Sequence, residues 1–347
     1  MDSILDQNVW RTFIVHLPFN YNTNKQYPIV LNLHGYNSNA TQQQLYTQFD
    51  KVADTEGFIV VYPNAISNSW DLNGNNDVNF ISHLVDALRS NYSCNLCLFI
   101  TGLSDGGFMT YKLACTLQKP INAIAIGSGN MTKFLQNSCT SAAEIPLMHF
   151  HGTADQLVAY NGVSPFIPPV DTTIKWWISH NNCNLKPEIS IIPDINITDH
   201  CNVEKYFYDG GNNGSELTLY KVIDGGHTWS GTFPVPGLGN TNQDINQSSI
   251  IGSFFRKFCS SSNSVSTTTL DNIVLVYPNP FQDNIIISNF SMEKSIIVIY
   301  DCLTKEVIKR EIFKSTTLNT EHLQAGIYFY KILQKNKIIC KGKIIKQ

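Results

Sequence analysis

The chain has 347 residues, 43% hydrophobic and 11% aromatic, with a formal net charge of -3. This composition supplies real cores and excludes an intrinsically disordered chain, and the length fits one large and one small domain. Charged residues are only 15%, so neutral polar side chains carry the surface, which suits no nucleic-acid or other polyanionic partner.

Taken in chain order, residues 10–17 and 27–33 read as strands, the second running into Leu33-His34-Gly35-Tyr36-Asn37, where Gly and Asn mark a sharp loop. Helical periodicity over 41–56 is stopped by Gly57, and the apolar strand 58–62 is closed by Pro63. Helices are expected at 77–91, 105–117, 172–180 and 248–258, and strands at 96–101, 121–126, 145–150 and 217–222. Short apolar strands alternating with helices predict an α/β unit, a doubly wound and mostly parallel sheet, over 1–259. Residues 260–271 (SSSNSVSTTTLD) lack any apolar period and read as a linker. From 272 to 347 the pattern changes to short β-rich runs at 285–288, 296–300, 307–312, 326–333 and 338–345, which predicts a small all-β sandwich. That tail holds eleven basic and six acidic residues at strand-like spacing, a solvated face rather than a DNA or polybasic membrane anchor. No apolar run reaches the length of a transmembrane helix, and the first ten residues lack the basic start and apolar core of a signal peptide.

Gly102-Leu103-Ser104-Asp105-Gly106 fits G-x-S-x-G between an apolar strand and an amphipathic helix, the setting in which a tight turn presents a serine hydroxyl as nucleophile. A serine needs a base to take its proton and a carboxylate to orient that base. In the order Ser, acid, His, the candidates are Ser104, Asp155 after the strand 145–150, and His227 after the strand 217–222, each just past a strand's C-terminal end. Asp224 is a rival acid, but it lies too close to His227 in sequence to reach its ring easily. The oxyanion would be held by the backbone N–H groups of Asp105 and of Tyr36. His149 and His151 make an H-x-H without a third ligand nearby, so no metal is expected, and the chemistry requires no cofactor. Trp70 and Trp229 are expected at the mouth of the site, stacking on an aromatic acyl group or a sugar.

Nine cysteines form no paired zinc knuckles, and Cys94 to Cys97 precedes a strand instead of opening a helix, which argues against redox chemistry. Disulfides are expected between Cys183 and Cys201, and between Cys115 and Cys139, each pair flanking a short excursion.

Several segments make the resemblance specific: Leu33-His34-Gly35-Tyr36, Gly57-Phe58-Ile59-Val60-Val61-Tyr62-Pro63, Asp77-Val78-Asn79-Phe80-Ile81, Thr101 to Gly107, His151-Gly152-Thr153-Ala154-Asp155 and Gly225-Gly226-His227-Thr228-Trp229. Over about residues 8 to 258 the chain resembles the secreted polyhydroxybutyrate depolymerase-like and feruloyl esterase-like α/β-hydrolases. It departs from them at Asn76, where an Asp is common, and at Ser230, where a Pro is usual. The resemblance implies Ser104 as nucleophile, His227 as base and Asp155 as orienting acid, acting on a polyester, a feruloylated or acetylated polysaccharide, or a small ester. Val276-Tyr277-Pro278-Asn279-Pro280-Phe281, Ile299-Tyr300-Asp301 and Ala325-Gly326-Ile327-Tyr328-Phe329 resemble the C-terminal sorting domain of type IX secretion cargo. That implies export to the exterior or cell surface by the type IX machinery, and hence a native N-terminus that was trimmed or misassigned. The rival readings are a non-catalytic surface binding protein that keeps the hydrolase shell, and a serine peptidase.

Overall fold

The computed structural model describes residues 1–139, 143–259, 274–277, 281–289, 294–302, 305–313, 315–335 and 337–347. The expected linker at 260–271 and Pro278 to Pro280 of the tail motif lie outside these residues. The chain divides into two compact units, Met1–Ser260 and Ser261–Gln347.

The first unit is built on strands β1 (Asp2–Asp6), β2 (Val9–His16), β3 (Tyr27–Leu33), β4 (Ile59–Pro63), β5 (Cys94–Leu103), β6 (Ala123–Gly127), β7 (Leu147–Gly152), β8 (Glu188–Ile192), β9 (Asn202–Tyr208) and β10 (Leu217–Ile223). They form one sheet in the order β1-β2-β4-β3-β5-β6-β7-β10-β9-β8. The run from β4 to β10 is parallel, and an antiparallel pair closes each edge. Parallel strands need cover on both faces, and β3, β4, β6 and β7 are accordingly buried at every position and mostly apolar. Side chains alternate between the two cores: Ile29, Leu31, Leu98, Ile100, Ile124 and Ile126 point to one, while Val30, Phe99, Ala123 and Ala125 point to the other.

The helices divide the same way. On the first face lie α3 (Asn76–Asn91), α4 (Asp105–Thr116) and α6 (Val170–Asn181), contributing Phe80, Leu84, Met109, Leu113, Ile174 and Trp177. The second face is covered by α1 (Ala40–Thr47), α2 (Phe49–Glu56) and α7 (Gln247–Lys257), through Tyr46, Phe49, Val52, Ile251 and Phe255. A short α5 (Lys133–Ser138) follows β6. The single helix expected over 41–56 is two helices. Gln48 adopts φ 49°, and the Thr47 carbonyl accepts from the Ser248 hydroxyl (2.6 Å), so a contact from α7 takes over an end that the helix leaves open. The edge strands β1 and β8, and β9 next to β8, carry no mark in the sequence, because partly exposed strands lack the apolar run that marks buried ones.

Cys115 and Cys139 are bridged as expected. Cys183 and Cys201 are not: both are free and buried, because Cys183 packs into the core on one face of the sheet and Cys201 into the core on the other. The second bridge joins Cys97 on β5 to Cys259 beyond α7, across a separation of 162 residues that no local spacing reveals.

The second unit has two small sheets, β11 (Val274–Tyr277), β12 (Asn284–Asn289) and β15 (Ser315–Asn319) against β14 (Glu306–Ile312), β13 (Ser295–Tyr300), β16 (Gly326–Gln334) and β17 (Lys337–Lys346). Ile285, Ile287 and Leu318 of one sheet share a core with Ile297, Ile299, Ile332 and Ile344 of the other, which makes a sandwich. Phe281 anchors the chain end, its backbone N–H donating to Ile345 O (2.8 Å) and its carbonyl accepting from Gln347 N (2.9 Å). Among the described residues no helix is long and apolar enough to cross a membrane.

Candidate active site

Ser104 sits between β5 and α4 at φ 57° and ψ −120°, a strained conformation for a residue with a side chain. The surrounding glycines make that turn possible. A Cβ on Gly106 would overlap the Leu33 carbonyl, and one on Gly102 would overlap the Gly106 backbone. The turn is pinned from the side by Ser104 N–H donating to Gly127 O at the end of β6 (2.9 Å). The first turn of α4 leaves backbone donors free beside the serine, so the strain is held where a helix N-terminus favours negative charge.

Asp155 and His227 come together from loops beyond β7 and β10, which are neighbours in the sheet. His227 Nδ1 donates to Asp155 Oδ2 at 2.8 Å. The other carboxylate oxygen, Oδ1, accepts the backbone N–H groups of Leu157 and Val158, both at 2.9 Å. Asp155 is 4% exposed and His227 5%. A buried carboxylate that accepts three N–H groups is held in one orientation, and its imidazole partner is fixed with it. Gly152 lets the two loops meet, since a Cβ there would overlap the Gly225 carbonyl. The Ser104 hydroxyl is half-buried and makes no hydrogen bond to His227. Asp224, the rival acid, is exposed and accepts no bond from His227. Its backbone N–H donates to Thr153 Oγ1 (2.9 Å) instead.

Among the described residues, the backbone N–H groups of Tyr36 and Asp105 have no acceptor. Gly35 lies against Ser104, its position for a Cβ being 3.4 Å from the serine Cβ. The loop bearing Tyr36 is braced by His34, whose Nδ1 donates to Gly35 O (2.7 Å) and whose Nε2 accepts from Ala65 N (3.0 Å). Burial holds His34 below the ordinary histidine range, in keeping with a neutral ring that donates at one nitrogen and accepts at the other. Burial, opposed by the Trp70 N–H bond and aided by Asp77, pushes the Asp105 carboxyl up.

Trp70 and Trp229 do not line the mouth. Trp70 is 4% exposed, its ring tilted against His34 at 5.0 Å, with its indole N–H on His34 O (2.8 Å). Trp229 is 0% exposed, packs over Gly127 and donates to the Ser248 hydroxyl (2.9 Å). Each large ring is worth more inside the fold than on its surface, and each braces a loop beside Ser104 instead of offering a face to substrate.

The residues that do border open space had no mark in the sequence. A cavity of 460 Å³ opens beside His227, lined by Gln156, Leu157, Pro234, Val235 and Leu238 among others. The segment supplying most of that lining follows His227 and is held to it by His227 N–H donating to Leu238 O (2.7 Å).

Fold and site together define a doubly wound α/β-hydrolase fold with a glycine-flanked serine turn after β5 and a His–carboxylate pair after β7 and β10. An acetyl xylan esterase from Aspergillus awamori has the same fold, with a TM-score of 0.50 at 18% identity over 68% of this chain and 95% of that one. Residues 74–166 match the Phospholipase/Carboxylesterase family model, and residues 275–347 match the Secretion system C-terminal sorting domain model. In sequence, the chain is 30% identical over 165 residues to a bifunctional acetylxylan esterase/xylanase from Neocallimastix patriciarum, covering 47% of this chain and 24% of that protein. It is 30% identical over 163 residues to a probable feruloyl esterase C from Aspergillus clavatus, covering 44% of this chain. The chain thus spans about a quarter of the first relative's length (24%) and rather more than half of the second's (57%).

Proposed function

We propose that the chain is an exported serine carboxylic-ester hydrolase, with Ser104 as nucleophile, His227 as general base and Asp155 as the acid that orients it. The observation that carries the reading is the buried 2.8 Å bond from His227 Nδ1 to Asp155 Oδ2. It fixes the tautomer that leaves Nε2 unprotonated and ready to accept. Ser104 Oγ attacks the ester carbonyl carbon while its proton passes to His227 Nε2. The oxyanion is met by the N–H groups of Tyr36 and Asp105. Collapse breaks the C–O bond, and the alcohol leaves with the proton held on His227. Water then attacks the acyl-enzyme, giving a proton to the same nitrogen, and collapse breaks the bond to Ser104 Oγ, which takes that proton back from His227 as the acid departs. The names of the relatives favour an acetylated or feruloylated plant polysaccharide as substrate, and the largely apolar lining of the cavity beside His227 suits the organic part of such an ester.

Turnover of p-nitrophenyl acetate and methyl ferulate by Ser104→Ala tests the mechanism. The expected loss is at least about 1000-fold with the fold intact, and a folded variant with wild-type turnover overturns it. The sorting-domain match at 275–347 supports export by type IX machinery, with the ester site confined to residues 1–259. A chain ending at residue 260 should keep its turnover on a soluble ester and stay inside a host that has that machinery. Normal export of the shortened chain refutes the address, and a folded but inactive one refutes the division.

A further inference from the structure

We propose that Tyr111, His149 and His151 form a buried hydrogen-bonded brace that positions Asp155, and through it His227, for the hydrolysis proposed above. The inference rests on that reading of the site. Both histidines belong to β7, two residues apart and therefore on one face of the sheet, where Tyr111 of α4 reaches them from the helix that begins just after Ser104. His151 Nε2 lies 2.7 Å from Val158 O, which can only accept, so that nitrogen carries a proton. His151 Nδ1 then accepts from His149 Nε2 at 3.2 Å, and His149 Nδ1 accepts from the Tyr111 hydroxyl at 2.8 Å. Every proton in the chain has one place.

The chain ends on the turn that carries the acid. Val158 is gripped at both ends of its peptide, its N–H donating to Asp155 Oδ1 (2.9 Å) and its carbonyl accepting from His151. His151 Nε2 also approaches Asp155 Oδ2, the oxygen that holds His227, at 3.5 Å. The titratable groups facing His151 are His149 on its own strand, Asp155 and Tyr160 from the following loop, and His227 from the loop after β10. The Gly129 carbonyl faces it from the segment after β6. Burial lowers both histidines below the ordinary range, against the pull of Asp155 on His151, in keeping with neutral rings. Three polar side chains in a core cost free energy unless each bond is made. Here each bond is made, and the network ties the helix behind the nucleophile to the loop of the acid.

Three variants, with Ser104→Ala as control, test the brace through kcat, KM, the pH–rate profile and the low-field proton signal of the His227 Nδ1–H bond. His151→Leu removes the donor to Val158. It should lower kcat about 10- to 100-fold, the scale of a small misplacement at a reacting centre, with KM nearly unchanged, a shifted acid limb and a broadened low-field signal. His151→Gln, whose amide nitrogen reaches the position of Nε2, should recover most of the loss. Equal loss in the Gln and Leu variants assigns the effect to packing and overturns the brace. So does a folded His151→Leu with wild-type kcat and signal. If His151→Leu fails to fold, Tyr111→Phe keeps the ring and removes only the first proton. A smaller fall in kcat with the same change of signal supports the brace, and no change in either refutes it. An active Ser104→Ala would sink the hydrolase reading itself. An inactive Ser104→Ala beside an unaffected His151→Leu sinks the brace alone.

Discussion

The turn at Ser104 and the pair Asp155–His227 reach their geometry by opposite means. The turn is a backbone device: positive φ at Ser104, glycines at 102 and 106 packed against carbonyls, and one tie to Gly127. The pair is a side-chain device spanning 72 residues of sequence, secured by two backbone N–H groups on Asp155 and a histidine beside it. A backbone device should tolerate almost no added volume, whereas a side-chain device should tolerate shape and fail on a change of hydrogen-bond chemistry.

Asp155→Asn breaks the pair while leaving the turn untouched. The amide offers an N–H where a lone pair was, so His227 loses its tautomer, and kcat on a soluble ester should drop about 10,000-fold with little change in thermal midpoint. Turnover within tenfold of wild type would reassign the acid. Gly106→Ala attacks the turn instead. Its new methyl meets the Leu33 carbonyl, and stability should fall by about 3 kcal/mol or more in urea titration, where a change below about 0.5 kcal/mol would show the packing to be loose. The smallest effect, taken per pH unit, separates the regions by acid. His149 and His151 titrate below the ordinary value in the fold, so on acidification the unfolded chain binds protons that the folded one does not. Stability is therefore full above about pH 6.5 and declines below it by about 1.4 kcal/mol per pH unit for each ring kept neutral. Urea midpoints at pH 7, 6 and 5 measure the slope, and the double variant His149→Gln with His151→Gln should reduce it, leaving the share of the other buried ring, His34. An unchanged slope would remove the two rings from the acid response.

The parts of this molecule that local pattern can encode were legible in its residues. The apolar runs of β3 to β7 name themselves because burial on both faces demands them, and G-x-S-x-G marks a turn whose whole mechanism fits within five residues. Exposed edge strands were silent, and so was the break at Gln48, which depends on Ser248 of a distant helix. Trp70 and Trp229 differ from expectation for a similar reason: a large ring near a site in sequence says nothing about which way it points, and both turn inward to brace loops. H-x-H was visible without a use until Tyr111 and Val158 appeared at its two ends.

By itself the sequence determined the central strands and helices of the first unit, the break in pattern before residue 272 and the serine turn after β5, since each follows from periodicity or from a motif whose atoms are neighbours along the chain. Tertiary structure alone decided that Cys97 pairs with Cys259 while Cys183 and Cys201 stay apart, and that two hydrogen-bonded histidines stand behind Asp155. Those outcomes turn on which face of the sheet a side chain occupies and which loops adjoin across neighbouring strands, and both are fixed only when distant strands find their register.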